Sequence, residues 1–296
     1  MTCDETADTP DQWLVARVID WFATARRPLP WRDSGTTPWG VLVSEFMLQQ
    51  TQVDRVIPRW QAWIQRWPRP EDLAAASVAE ALRQWDRLGY PRRARWLHAG
   101  AVAIRDEHGG QVPTEEAALL ALPGVGPYTA AAVRAFAFGL PGVVLDTNVR
   151  RVIARAAAGQ AGVGPSVTAD ERARAARLAD HPQSARWSAA VMELGALVCT
   201  AARPDCPACP IAQACSWRQA GYPAGMAPRR QAPFAGSDRQ VRGLIMATLR
   251  DSPTSVPISV IEATWPVPEQ RDRAFASLVA DGLVEVTRAG RVRLPR

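Results

Sequence analysis

The sequence predicts an all-α protein that ends in a small mixed module of three helices and a β-hairpin. Three observations carry that expectation. Apolar residues recur at i, i+3, i+4 and i+7 in segments such as DQWLVARVIDWFATA and SVAEALRQWDRLG, the spacing that gives a helix one core-facing stripe. Pro30, Pro58, Pro68, Pro70 and Pro113 fall between such segments, where helix breaks belong. No convincing strand alternation precedes residue 280, after which LVEVTRAGRVRLP alternates around an Ala-Gly turn.

The elements follow in order. Ser77 with Glu80 forms a capping box, and Thr114 before Glu115 and Glu116 marks another helix start. In LPGVGPYTAAAV, Pro123 ends one helix, Gly124-Val125-Gly126 turns, and Pro127 suits a first helical turn. This is a helix-hairpin-helix signature, whose N–H groups either meet a DNA phosphate or serve the turn alone. After Cys215, RQAGYPAGMAPRRQAPFAG reads as a linker. DRQVRGLIMATLR, SVIEATW and PEQRDRAFASLVADG then give three helices before the hairpin, a winged-helix-like pattern. Arg271, Arg273, Arg288, Arg291 and Arg293 make it either a nucleic-acid contact or a plain helical cap.

Composition narrows the function. A length of 296 residues predicts one large and one small unit, and 47% hydrophobic residues with 12 tryptophans supply a core. A formal charge of +6 favours an anionic partner. All 35 basic residues are arginines, so no lysine ε-amine exists to form a Schiff base. The start MTCDETADTP lacks the features of a signal or transit peptide, and no apolar run is long enough for a bilayer. The expectation is a soluble, cytoplasmic, nucleoid-associated monomer with no membrane partner.

Two carboxylates and four thiols carry candidate chemistry. Glu45 is a single acid within the apolar run PWGVLVSEFMLQQTQV; it is either a desolvated general acid or a helix glutamate facing solvent or an arginine. Asp146 ends an apolar run before VVLDTNVRRVIAR turns helical. It is either a simple N-cap or a carboxylate that the helix N-terminus keeps ionised. One neutral and one anionic carboxyl suit glycosidic cleavage. Cys199, Cys206, Cys209 and Cys215, spaced C-x6-C-x2-C-x5-C, suit a [4Fe–4S] cluster better than zinc, which usually uses two short clips. Cys3 lies apart.

LPWR (29–32), SEFMLQQTQV (44–53), LGYPRRAR (88–95), LPGVGPYTA (122–130), DTNVRRV (146–152) and MELGALVCT (192–200) precede that cysteine run. Over residues 10–220 the chain closely resembles the helix-hairpin-helix DNA glycosylases of the endonuclease III superfamily. Within them it resembles the adenine glycosylases that act on A mispaired with G or 8-oxoguanine. The double glutamine of MLQQTQV separates that family from its near relatives.

The resemblance implies a six-helix barrel over about 30–140 and an iron–sulfur helical domain from 10–29 with 141–220. A linker at 221–236 and the winged-helix-like unit at 237–296 follow. Glu45 looks like the acid that protonates adenine N7, and Asp146 like the carboxylate that stabilises the oxocarbenium ion. Tyr128 stands in the slot where lyases of the superfamily carry lysine. Gln50 resembles the duplex wedge, and Thr51 and Leu88 resemble neighbours of the opposite purine. Pro91 falls where a residue inserts into DNA, Tyr90 beside it at the DNA-binding surface, and Gly124 and Gly126 where a phosphate binds. Arg27, Trp31, Arg32 and Glu193 fall at the adenine pocket, Arg203 suits a phosphate, and the four cysteines match cluster ligands. The implied partner is double-stranded DNA with A:8-oxoG or A:G mispairs, alongside repair proteins.

Two departures stand out. Pro91 replaces the second tyrosine of many members, and the C-terminal unit replaces a larger Nudix-like domain. The competing readings are a mismatch thymine or uracil glycosylase and a non-catalytic iron–sulfur DNA sensor.

Overall fold

The computed structural model describes residues 10–225 and 233–296; Cys3 and the centre of the expected linker lie outside the described residues. The helices are α1 (Pro10–Ala25), α2 (Pro38–Leu48), α3 (Val53–Arg66), α4 (Pro70–Ala74), α5 (Val78–Trp85), α6 (Arg92–Glu107), α7 (Glu116–Ala121) and α8 (Pro127–Phe138). They continue as α9 (Thr147–Ala158), α10 (Ala169–Ala179), α11 (Ser184–Leu197), α12 (Ser216–Gln219), α13 (Asp238–Asp251), α14 (Ile258–Glu262) and α15 (Pro268–Ala280). Strands β1 (Val256–Pro257), β2 (Glu285–Val286) and β3 (Arg291–Arg293) form one antiparallel sheet in the order β1-β3-β2. Among the described residues no helix is long and apolar enough to cross a membrane.

Two compact units divide the described chain: one takes residues 10–34, 114–116 and 126–225, the other 35–113, 117–125 and 233–296. In the first, α1 buries Leu14, Val15, Val18, Ile19 and Phe22 as one stripe. That stripe meets Val149, Val152 and Ile153 of α9 and Trp187, Val191 and Leu194 of α11. Each such side chain contributes about 1.5–3 kcal/mol when fully buried. The stripe is the heptad-like pattern legible in DQWLVARVIDWFATA. Helix α9 stops at Gly159, whose left-handed conformation closes the last turn.

In the second unit α2 is buried on nearly every side, from Trp39 to Met47, as its uniformly apolar sequence requires. Around it lie α3 and α6, and Trp63 packs edge-on against Trp67 and Trp85, with ring centroids 4.7 and 5.6 Å apart. The Ser77–Glu80 capping box forms at the start of α5. Pro58 does not break a helix; it lies inside α3. Its side chain is on the exposed face, and the residue four positions back, Asp54, is exposed too. Water can therefore satisfy the carbonyl that a proline frees.

The C-terminal residues of this unit form the expected three helices and hairpin, and Gly290 turns the hairpin with φ of 69°. Strand β1 was not expected. It is only two residues long, too short for visible alternation, and Val256 pairs with Val292 on β3. Val241, Ile245, Leu249, Leu278, Val284 and Val292 form the core here.

Candidate active site

In the first unit Asp146 stands at the start of α9, Tyr128 on α8 and Glu193 on α11. Asp146 is the N-cap: its Oδ1 accepts from Val149 N at 2.6 Å, and its Oδ2 accepts from Asn148 Nδ2 at 2.8 Å. The N-cap expectation therefore holds. Burial pushes the Asp146 carboxyl above its usual range, outweighing the cap bonds and nearby Arg151 that favour charge.

Asn148 is itself held. Its Oδ1 accepts from Arg151 Nη2 at 2.8 Å, and the same nitrogen donates to Gly195 O at 2.6 Å. Arg151 Nε donates to Cys199 O at 2.7 Å. Gly195 has to be glycine, because a Cβ there would meet Asn148 Cβ at 2.7 Å and its carbonyl at 2.9 Å. Neither Asn148 nor Arg151 was singled out from the sequence, although both lie in DTNVRRV. The recoverable signal was their spacing of two and five residues from the cap, which places an amide and a guanidinium around the first turn.

Tyr128, near the N-terminus of α8, is half-buried against Ala132, Ala135 and Val144. Glu193 is fully buried and receives two arginines. Arg27 donates to Oε1 from its backbone N–H and Nε, at 2.8 and 3.0 Å, and to Oε2 from Nη2 at 2.8 Å. Arg32 donates to the same two oxygens at 3.2 and 3.1 Å. Burial works to raise the Glu193 carboxyl, but the hydrogen bonds from Arg27 and Arg32 outweigh it and hold it at about 2. Trp31 is buried between these two arginines in sequence.

The four cysteines form no disulfide and are each partly buried. Burial pushes the Cys209 thiol up to about 11, with Cys199, Cys215 and Cys206 close enough to add to the effect. Arg155 donates to Cys199 Sγ at 3.4 Å, and its guanidinium lies 4.5 Å from the Trp217 ring centroid. Four soft donors within one loop, beside a cation, are chemically suited to a metal–thiolate centre. Among the described residues no three His, Cys, Asp or Glu side chains converge as they would around an ion. Arg203 is exposed, and its carbonyl accepts from Thr200.

The second unit holds Glu45, buried on α2. It also holds two loops with unusual backbones: Gln50 (φ 54°), Asp86 (φ 48°) and Tyr90 (φ 48°) are non-glycine residues in the left-handed region. Such residues cost about 1–3 kcal/mol and persist where their surroundings fix them. Here that fixing falls mainly to Arg93, which the sequence analysis passed over. It donates to Phe46 O at 2.8 Å, Met47 O at 3.0 Å, Gln49 O, Thr51 Oγ1 at 3.0 Å and Gly89 O at 3.0 Å. Burial pushes this guanidinium down to about 10. One side chain thus joins the loop carrying Gln50 and Thr51 to the loop carrying Leu88, Tyr90 and Pro91. Gln50 and Tyr90 are exposed, Pro91 is half-buried, and Leu88 is buried.

At the hairpin, Gly124 has φ of 79°, and a Cβ there would strike Trp96 at 2.7 Å, so only glycine fits. Gly126 caps α8 with extended backbone and no side chain, and open space surrounds its missing Cβ.

Residues 43–175 match the family model of the HhH-GPD superfamily base excision DNA repair protein. The chain is similar to the adenine DNA glycosylase of Mycolicibacterium smegmatis, with 51% identity over 278 residues and 94% of each chain covered. It is also similar to the human adenine DNA glycosylase, with 42% identity over 213 residues, covering 68% of this chain and 39% of the human one. Among solved structures, a thermostable thymine-DNA glycosylase aligns with TM-score 0.63 and 27% identity, covering 71% of this chain and 97% of that one. An endonuclease III–DNA complex aligns with TM-score 0.60 at 23% identity, covering 72% and 98%, which shows the shared fold.

Proposed function

The chain belongs to the adenine DNA glycosylases of the HhH-GPD superfamily of base excision repair proteins, and from that premise we propose that it removes adenine mispaired with 8-oxoguanine or guanine. The observation that carries the mechanism is the Asp146 carboxylate, fixed on both oxygens by Val149 and Asn148 in a chain without lysine. Adenine leaves poorly as an anion but has a basic N7. Glu45, buried in its apolar helix, donates a proton to N7, and Asp146 stabilises positive charge as the C1′–N9 bond breaks. Water then completes an abasic site. Tyr128 occupies the position at which an amine would allow strand cleavage, so the strand stays intact.

The target base leaves the stack, at a cost of a few kcal/mol. Gln50 and Pro91 fill the duplex, with Tyr90 at the DNA-binding surface and Thr51 and Leu88 beside the opposite purine. Arg27, Trp31, Arg32 and Glu193 shape the adenine pocket. Gly124 and Gly126 of the hairpin, with Arg203, hold phosphates. Cys199, Cys206, Cys209 and Cys215 would hold a [4Fe–4S] cluster, which when bound ties their loop together. The barrel over about 30–140 and the cluster domain from 10–29 with 141–220 carry these groups; residues 221–236 link them to a winged-helix-like domain at 237–296. The enzyme works as a monomer on chromosomal DNA in the cytoplasm, alongside repair proteins.

A second reading, thymine excision, draws on the likeness to the thymine-DNA glycosylase structure. One experiment tests both: duplexes with A:8-oxoG, A:G, A:C or G:T are incubated with the protein and resolved with and without hot alkali. Alkali-dependent cleavage at adenine supports the proposal. Thymine release from G:T with adenine untouched supports the second reading, and cleavage without alkali contradicts the monofunctional mechanism.

A further inference from the structure

We propose that the C-terminal module, residues 237–296, acts as a brace inside the chain: it holds the 86–91 turn in shape for the purine opposite the target adenine. The inference rests on the function proposed above for Leu88 and Tyr90. The turn is strained at Asp86 and Tyr90, two non-glycine residues at positive φ, and strained segments persist only when their neighbours fix them. The module grips this turn on both sides.

Before the turn, Arg83 on α5 donates to Ser252 O at 3.2 Å, just past the end of α13. The Asp86 carboxylate accepts from Arg59 of α3 and lies 3.8 Å from Arg250 of α13, whose side chain is 11% exposed. After the turn, Arg92 Nε reaches Asp281 Oδ1 at 3.5 Å, and Arg95 donates to Asp281 O at 3.2 Å. Asp281, at the end of α15, is held in turn by Arg242 of α13 at 2.6 Å. Arg92 and Arg95 flank Arg93, the residue that joins the two loops. The module therefore reaches α5 and α6 at the two points where the turn leaves and rejoins regular structure.

Four of the five arginines that suggested DNA contact are engaged within the module. Arg273 donates to both oxygens of Asp238, Arg271 to Asp272 and Glu262 O, Arg291 to Ser255, and Arg293 to Glu285. The acidic partners of Arg271, Arg273 and Arg293 offset the charge that a phosphate would need. What remains is a module whose cross-chain bonds converge on one turn.

The test uses full-length Arg250→Ala and Asp281→Ala, with Arg250→Lys as the conservative variant and Arg273→Ala as a control on the module's own face. Hydrogen exchange is followed at residues 86–95, and single-turnover adenine release is compared between A:8-oxoG and A:G duplexes. In Arg250→Ala and Asp281→Ala, protection of 86–95 should fall and the preference between the two duplexes should change by about tenfold. Arg250→Lys should restore much of both, and Arg273→Ala should alter neither. Unchanged protection of 86–95 in both alanine variants overturns the brace, as does an unchanged preference alongside lost protection, or weakened duplex binding by Arg273→Ala. If the unaltered enzyme releases no adenine, the functional reading fails instead, and the exchange data alone judge the brace.

Discussion

Asn148 Nδ2 donates to Asp146 Oδ2 across 2.8 Å, while Arg151 holds Asn148 Oδ1 from the other side. The carboxylate is therefore oriented by an amide that has no freedom to turn. Asn148→Ala removes that side-chain orientation and leaves only backbone N–H donors on the carboxylate. Loss of a hydrogen bond to a charged group is worth about 1.5–3 kcal/mol. Single-turnover adenine release should slow about 10- to 100-fold, with duplex affinity nearly unchanged. A rate equal to that of the unaltered enzyme would remove Asn148 from the mechanism.

Burial raises the Asp146 carboxyl above 3.8 in the folded chain. A raised folded value means that stability from this group is fully present below 3.8 and is lost as pH rises through the higher folded value. At neutral pH the ionised carboxylate is therefore a burden on the fold. Asp146→Asn keeps a capping oxygen and carries no charge. It should raise Tm at pH 7, show no gain below pH 3.8, and slow excision by about 10²- to 10⁴-fold. Thermal unfolding across that pH range checks the sign; a lower Tm at pH 7 would contradict it.

Glu193 behaves in the opposite sense. Its folded value of about 2, against 4.5 ordinarily, gives stability that is present above 4.5 and lost as pH falls through about 2. Glu193→Gln should remove that pH dependence. Breaking a buried pair typically costs about 3–5 kcal/mol, but Arg27 and Arg32 keep 32% and 23% of their side chains exposed. Solvent screening should reduce the loss to about 1–3 kcal/mol, as denaturant unfolding would read it. Equal acid sensitivity in variant and parent would show that the two arginines do not hold this carboxylate.

Arg93 is a buried cation that donates to four backbone carbonyls and one hydroxyl. Arg93→Met keeps much of the volume but leaves those oxygens bare. It should cost about 2–4 kcal/mol of stability and weaken duplex binding, because Gln50 and Tyr90 lose their common support. Arg93→Lys cannot span five acceptors and should recover little. Full recovery by lysine would point to charge alone.

The sequence disclosed most of the elements, because each is announced locally: the Ser77–Glu80 box, Pro127 opening α8, and the alternation around Gly290. It also disclosed Asp146 as a cap. What it hid depends on environment. The degree to which Asp146 loses water is set by residues distant in sequence, so its raised carboxyl could not be read from LDTNV. Arg93 looks like any other arginine in GYPRRARW until α2 and its following loop close around it. Pro58 and β1 were misread for a related reason: solvent on one face, and a partner strand more than thirty residues away, decided each.

The central claim is that Glu45 and Asp146 act together on adenine. Free adenine released from an A:8-oxoG duplex in a single turnover, quantified for the unaltered protein, Glu45→Gln and Asp146→Asn, tests it most directly. The unaltered protein should release one adenine per active enzyme. Rates from either variant should be lower by about 10²- to 10⁴-fold, as expected when a positioned acid or its charged partner is lost. Adenine release by either variant at the rate of the unaltered protein would contradict it.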